Sequence, residues 1–449
     1  MAYSCLNNYI KIYDSFELLK IIFVFPVFVQ KFKFVTTCPP VADSTLVRHT
    51  IMEFILFIIP GVFFAGYAAL IIYYRQCWLQ IPVYNSAFKK DKLTVSFAGY
   101  KPFTKITVII PARNEEQNIG LCLQALTEQT YPKDLFEIIV VDDHSTDQTA
   151  LVVQSFHKHN IQCISLNNYL SGTINAYKKK AIEVAIAQSE GDLIVTTDAD
   201  CTMGKNWLLT IANFYETYNP AFIAAPVVIT GSNFLGIFQS LDFMTLQGIT
   251  GAAVYKKIHS MCNGANLAYE KKAFNEVGGF KGIDDIASGD DMLLMHKIYE
   301  RYPDRVLFLK SRETIVTTQA MNTWTDFFNQ RIRWASKADK YNDKRILAVL
   351  ILVYFFNLML LLLPVLAVFS NTTFLFFSYH LSITKYWLIL LVLKTITELF
   401  FLFPVAGFFN KKNMLWWFPV AEPFHILYTV IAGWLGKFGS YQWKERKVK

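Results

Sequence analysis

Residues 192–201 read DLIVTTDADC. Leu193 to Thr196 form an apolar, β-branched run, the pattern of a strand buried on both faces. Asp198 and Asp200 follow, one residue apart. In a parallel sheet covered by helices, ligands bind beyond the carboxyl ends of the strands, where polar groups are cheaply solvated. Two carboxylates this close repel each other unless a cation intervenes, and a hard oxygen set selects Mg²⁺ or Mn²⁺. That cation would in turn hold a diphosphate. Taken alone, the three residues also read as a solvated Asp turn.

Two similar strands precede it. In KITVIIPARNEEQNIGLCLQAL (105–126), residues 106–110 are apolar and Pro111 is expected to end the strand. Glu115 and Glu116 then open a helical pattern with Ile119, Leu123 and Leu126 on one face. In FEIIVVDDHSTDQTA (136–150), Ile138 to Val141 run into Asp142 and Asp143, and Ser145, Thr146 and Asp147 offer helix N-caps. Strand and helix alternate, so the fold class is α/β with a mainly parallel sheet. Neither GxGxxG nor a P-loop occurs, so phosphate is not cradled in those ways.

The chain has 449 residues, 53% hydrophobic and 16% aromatic, with 39 Phe and a mean hydropathy of +0.29, which points to a membrane protein. The net charge of +8 suits a membrane surface or anionic ligands. No basic motif of a nucleic-acid-binding module is present, so no nucleic-acid partner is expected. Seven cysteines without a CxxC pair make neither a zinc site nor a disulfide framework, and imply a reducing compartment.

Apolar segments at 52–75, 346–369 and 386–409 are long enough to cross a bilayer as helices. Lys394 and Glu398 in the third are i,i+4 partners that neutralise each other or face a polar interior. Residues 414–436 contain Pro419, Glu422, Pro423 and His425 and read as a transmembrane or re-entrant helix. Residues 76–345 leave room for one large domain. Arg75, Lys89, Lys90 and Lys92 around its start, and Lys337, Lys340, Lys344 and Arg345 at its end, put it on the cytoplasmic side. Four full spans would leave the basic tail 437–449 outside, against that rule, so either the fourth does not cross or the tail is an exception. Residues 1–51 read as an extension whose apolar run IIFVFPVFV is too short to span, and Met52 reads as a natural start. The Phe-, Ile-, Asn- and Lys-rich composition points to an AT-rich bacterial genome, hence a bacterial cytoplasmic membrane.

Five motifs occur in order: VIIPARNEE (108–116), IIVVDDHSTD (138–147), TTDADC (196–201), SGDDMLL (288–294) and QRIRW (330–334). Together they resemble the family 2 inverting glycosyltransferases with the GT-A fold, in the membrane-bound branch of the cellulose, chitin, hyaluronan and poly-N-acetylglucosamine synthases. The resemblance covers roughly 105–345 and the flanking helices.

It implies that Asp143 binds the nucleotide base, with Asp142 structural or a helper, and that Pro111, Arg113 and Glu115 line the same pocket. Asp198 and Asp200 match the family's DxD. Asp200 would contact Mg²⁺ or Mn²⁺, and Asp198 the ribose or the metal. Lys180, in AYKKKAIEVAI, stands where the family has a lysine near the diphosphate or base, or else in a solvated basic patch. Asp291 matches the catalytic base. Asp290 stands where the family has Glu, a departure that leaves its part open. Gly264, in CNGANLAYEKKAF (262–274), would let the backbone approach the sugar. Gln330, Arg333 and Trp334 share one helix face; Arg333 suits a diphosphate and Trp334 a sugar ring. The stretch NTWTDFFNQRIRWASKADKY (322–341) also reads as an interfacial helix ending the domain.

The implied activity is transfer of a sugar from a nucleotide-sugar, a UDP-sugar by resemblance, to a polysaccharide or lipid acceptor by metal-assisted single displacement. QxxRW accompanies processive synthases, yet three or four spans are few for a secretion channel. The expectation is therefore lipid or short-chain transfer, or export helped by a partner. Two other classes are compatible with parts of the sequence: a transporter-associated component whose acids are structural, and a catalytically dead scaffold.

Overall fold

The computed structural model describes residues 54–85, 100–156, 160–170, 172, 174–286, 288–337, 343–369, 373–376, 379–439, 441–443 and 446–448. The expected extension over 1–51, with Met52, lies outside the described residues, as do Lys89, Lys90, Lys92 and Lys340.

A π-helical turn at Phe54–Ile58 leads into α1 (Ile59–Gln80). The domain that follows runs β1 (Ile106–Ala112), α2 (Ile119–Thr127), β2 (Phe136–Asp142), α3 (Thr149–Ser155), β3 (Ile161–Ser165), α4 (Tyr177–Gln188), β4 (Leu193–Thr196), β5 (Thr202–Met203) and α5 (Trp207–Tyr218). It continues with β6 (Phe222–Ala224), β7 (Val227–Thr230), α6 (Phe234–Tyr255), β8 (Leu267–Glu270), α7 (Lys271–Glu276), α8 (Met292–Arg301), β9 (Val306–Phe308), β10 (Val316–Gln319) and α9 (Trp324–Ala335). The long helices α10 (Lys344–Phe369), α11 (Ile383–Phe408) and α12 (Phe418–Phe438) complete it, with hairpins β11–β12 (Thr373–Phe376, Tyr379–Ser382) and β13–β14 (Tyr441–Trp443, Arg446–Val448).

The main sheet has seven strands in the order β3-β2-β1-β4-β8-β6-β9. All its neighbours pair in parallel except β8, which runs against both β4 and β6. A smaller sheet, β5-β10-β7, lies beside it. One local expectation is corrected. Pro111 does not end β1 but sits inside it, opposite Val141 of β2. Pairing with β4 stops at Ile109, so the missing N–H costs no ladder bond on that side.

Alternate residues of each strand feed two cores. Val108, Ile110, Val140 and Val195 pack with α2 and α5. Ile109, Ile139 and Ile194 belong to a second core that continues without a break through Trp78 of α1 and Phe401 of α11. The element joining the two parts is α6. Its 22 residues were not visible as a membrane-length run because Gln239, Asp242 and Gln247 interrupt the apolar pattern. All three are buried. α6 approaches its neighbours through glycines: a Cβ on Gly248 would lie 2.7 Å from Phe401 and Val405, and one on Gly251 2.7 Å from Trp78.

Among the described residues, three helices are long and apolar enough to cross a membrane: Leu56–Gln80, Lys344–Phe369 and Ile383–Phe408. α12 is a fourth long helix, and Pro423 lies inside it without breaking it. The bond Pro423 cannot make would go to Pro419, in the first turn, where the loss is small. Lys394 is fully buried and pairs with Glu398 at 2.8 Å and with Glu422 of α12, while the Tyr67 hydroxyl donates to Glu398. The i,i+4 pair thus neutralises itself and binds three helices together. Lys310 donates to the Trp78 and Ile81 carbonyls (2.8 and 3.4 Å) at the end of α1, and Arg312 to the Phe408 and Gly407 carbonyls (3.0 and 2.9 Å) at the end of α11. Both supply cations to helix C-termini that have spare acceptors.

Gly248→Ala is expected to lower the melting temperature of the detergent-solubilised protein, an overpacking loss of about 1–3 kcal/mol. Gly66→Ala, whose Cβ would meet Leu352 at an ordinary 3.6 Å, should leave it unchanged. Equal melting of the two variants would count against the close approach of α6.

Candidate active site

A cavity of about 270 Å³ opens at the carboxyl ends of β1, β2 and β4, roofed by α9. Pro111, Arg113, Glu115, Asp143, Asp198 and Asp200 line one side. Gly264, Asp290, Asp291, Gln330, Arg333 and Trp334 line the other. Segments more than 200 residues apart in sequence are brought together: strand ends supply the acids of one side, and the start of α8 and the inner face of α9 supply most of the other.

At one end the loops after β1 and β2 are stitched together. Arg113 Nη1 donates to the carbonyls of Asp143 (2.9 Å) and His144 (3.2 Å). The Asn114 amide donates to Ser145 Oγ (3.0 Å), the Thr146 amide to Asn114 Oδ1 (2.9 Å), and the Glu115 amide to Thr149 Oγ1 (2.7 Å). Asn114 and His144 both take left-handed backbone (φ 50° and 57°), which turns the chain sharply at the strand ends. His144 Nδ1 lies 2.8 Å from Asp143 Oδ1 and fixes that buried carboxylate. Asp142 accepts from the Ser145 amide (3.3 Å), a structural bond.

In the centre, carboxylates outnumber cations. Burial, then the charges of Asp198 and Glu115, push the Asp200 carboxyl up. Thr318 Oγ1 donates to it at 3.1 Å. Ligand atoms of Asp198, Asp200 and Cys201 lie within 4.8 Å of one another. Burial, and then Asp200 and Asp198, push the Cys201 thiol well up; the hard oxygen donors of the group are the two carboxylates. That set fits a hard divalent cation such as Mg²⁺ or Mn²⁺.

Lys178 supplies the fixed counter-charge. Its ammonium lies 2.7 Å from Asp198 Oδ1 and 3.2 Å from Asp290 Oδ2. Burial opposes that charge, yet Asp198 and Asp290 hold it above the ordinary lysine range. Burial likewise acts to raise Asp290, but Lys178 and then Lys337 outweigh it and hold the carboxyl low. Asp291 caps α8: Oδ1 accepts from the Met292 amide (2.7 Å) and Oδ2 from the Gly264 amide (3.2 Å). A Cβ on Gly264 would sit 3.3 Å from both Asp290 and Lys178. Cap and cavity-lining residue are therefore one side chain. The oxygens of Asp291 keep lone pairs beyond those two bonds.

Lys180 is not in this assembly. It lies outside the cavity, 3.8 Å from Glu183 on the surface of α4. Two residues along a helix face nearly opposite ways, so Lys178 and Lys180 cannot both look inward. Of three consecutive lysines the sequence offers no rule for choosing. The third, Lys179, is buried and donates to the carbonyls of Ile283, Ile286 and Ser288 (2.6, 2.7 and 3.0 Å). It thereby holds the loop that delivers Asp290 and Asp291, and burial lowers its pKa to about 8. His144 and Asn263 lie inside the stretches IIVVDDHSTD and CNGANLAYEKKAF but carry no residue-level signal there, and Lys337 and Thr318 have no motif to mark them.

A model of the family described as Glycosyl transferase family 2 matches residues 107–278, and one described as Glycosyl transferase family group 2 matches residues 193–409. The chain is 30% identical over 325 residues to the probable glycosyltransferase YdaM of Bacillus subtilis, covering 68% of this chain and 73% of that protein. It is 32% identical over 147 residues to the poly(ribitol-phosphate) beta-N-acetylglucosaminyltransferase TarS of Staphylococcus aureus, covering 32% of this chain and 24% of TarS. Among solved structures, the mannosyltransferase PcManGT from Pyrobaculum calidifontis, in complex with GDP-Man and Mn²⁺, superposes with a TM-score of 0.52 at 18% identity, over 83% of this chain and 98% of that one, and shows a shared fold. With YdaM matched over nearly three quarters of its length, the chain belongs to family 2 of the glycosyltransferases, on a GT-A fold, and is an enzyme that uses a nucleotide-sugar donor.

Proposed function

We propose that this protein is an integral membrane, inverting glycosyltransferase that moves a sugar from a UDP-sugar to a polysaccharide or lipid acceptor. The observation that carries the reading is the one cavity that collects Asp143, Asp198, Asp200, Asp291 and Trp334. The three apolar helices and the basic residues at the two ends of 76–345 support a bacterial cytoplasmic membrane, with that domain on the cytoplasmic side. The acceptor is a polymer or a membrane lipid, taken singly or in short chains. A polymer would leave through a separate export partner.

In this reading Asp143, oriented by His144, receives the nucleotide base, and Arg113 keeps its loop in register. Pro111 and Glu115 line the same end. Asp198 and Asp200 would hold Mg²⁺ or Mn²⁺, which when bound supplies Lewis-acid neutralisation of the diphosphate. Arg333 adds a planar fork of donors on the opposite wall. Trp334 presents an aromatic face and Gln330 an amide to the sugar and the incoming acceptor, and Gly264 leaves room for them. Asp291 takes the proton of the acceptor hydroxyl. The new C–O bond forms at the anomeric carbon as the bond to the diphosphate breaks, and the electron pair leaves with the nucleotide. One displacement inverts the anomeric centre and needs no covalent enzyme intermediate. Asp290 is less suited to take a proton, since its charge is committed to Lys178. We assign it to anchoring that lysine.

Membranes carrying the protein, incubated with a panel of UDP- and GDP-sugars and Mg²⁺ or Mn²⁺, are expected to release nucleotide diphosphate from one donor. EDTA should abolish release. Asp291→Asn should lower it about 100-fold or more, the scale of a lost general base, while UDP still binds. Release that survives both treatments would sink the mechanism.

Lys178→Ala is expected to lower turnover at least about 10-fold, because it leaves Asp198 and Asp290 without their shared cation. Lys180→Ala should be silent. The reverse ranking in the same release assay would restore Lys180 to the site.

A further inference from the structure

The cavity face of α9 is held by a residue that does not line the cavity. Gln330, Arg333 and Trp334 look into it; Arg331, in the same turn, is 4% exposed and points the other way. Its Nη1 donates to Gln330 Oε1 at 2.6 Å, and its guanidinium lies 4.3 Å over the Trp334 ring. One side chain thus touches two of the residues that present sugar and acceptor. Its other end is anchored elsewhere. Nη2 donates to Asp242 Oδ2 of α6 at 2.7 Å, with both side chains 3% exposed. Asp242 in turn accepts the Tyr428 hydroxyl of α12 and has His425 Nε2 at 3.8 Å. Tyr428 also packs on Phe327 of α9 and Phe238 of α6, with ring centroids 5.2 and 5.8 Å apart.

A buried ion pair adds little net stability but constrains geometry strongly, because leaving either charge alone is costly. Guanidinium is the group that can pair with a carboxylate, donate to an amide oxygen and stack on an indole at once; a lysine ammonium satisfies only part of that set. We propose that Asp242, Arg331 and Tyr428 are positioning residues that tie Gln330 and Trp334 to the last long helix, so that the seating of α12 sets the acceptor end of the transfer cavity. The inference rests on the reading of that cavity as the transfer site. It adds a mechanical link between the site and the helix bundle.

The test uses the full chain in lipid nanodiscs, with UDP and Mn²⁺ as the probe and hydrogen exchange as the readout. In the wild type, UDP should slow exchange at the loop after β2, in α9, and in α12 around Tyr428. Tyr428→Phe removes only the hydroxyl that reaches Asp242, and Arg331→Lys keeps the charge. In both, UDP should still bind within a few-fold and protect the β2 loop, but the response of α12 should fall at least about threefold. A merely structural role would alter exchange with and without UDP alike and leave the difference unchanged. An undiminished α12 response in both variants, or none in the wild type while the β2 loop is protected, overturns the tie and leaves the enzymatic reading standing. No protection of the β2 loop in the wild type overturns that reading, and the inference with it.

Discussion

The lysine bridge across the cavity is the contact on which the site depends. Asp198 follows a strand that ends at Thr196, and Asp290 precedes a helix that begins almost a hundred residues later. Both are acidic and both are drawn into the same small volume. Without Lys178 between them, at 2.7 and 3.2 Å, the two halves of the cavity would repel each other. The lysine does not neutralise everything. Burial, and then the charges of Asp198 and Glu115, push the Asp200 carboxyl up. Carboxylates gathered this closely are the setting in which a divalent cation brings the largest local charge.

The folded domain is fastened to the long helices by contacts of a similar kind. Lys310 and Arg312 reach down to the last carbonyls of α1 and α11, where unpaired acceptors and the helix dipole both favour positive charge. Lys310 also lies 4.0 Å over the Trp78 ring, and Trp78 packs edge-on against Phe308 of the sheet and Phe408 of α11. Polar caps and aromatic packing therefore act at the same place. Domain and bundle share one apolar core there.

Much of this was written in the sequence where a residue's role follows from its neighbours along the chain. The strand at Leu193 to Thr196 and the acids after it are local facts, and they were legible. So was the common face of Gln330, Arg333 and Trp334, because helical spacing dictates it. What was not legible depends on rotation or on distant partners. Which of Lys178, Lys179 and Lys180 looks inward is set by the angle at which α4 packs on the sheet, and no single window of sequence encodes that angle. Pro111 was misjudged because its tolerance depends on where a neighbouring strand stops. α6 was overlooked because its buried Gln239, Asp242 and Gln247 look like surface residues until their partners are known: the Met321 carbonyl, Arg331 and the Val227 amide.

The packing of α6 also bears on the order in which the protein can be made. A ribosome delivers the chain from its N-terminus, so the sheet and α6 emerge before α11 exists. Yet Gly248 is shaped to receive Phe401 and Val405, more than 150 residues downstream. Until those residues arrive, one side of α6 has no cover, and the catalytic half of the molecule cannot finish its own interior. Completion of the enzyme must wait for the last helices. A chain cut short before them would leave the Gly248 side of α6 without Phe401 and Val405, an apolar face with nothing of its own to close it.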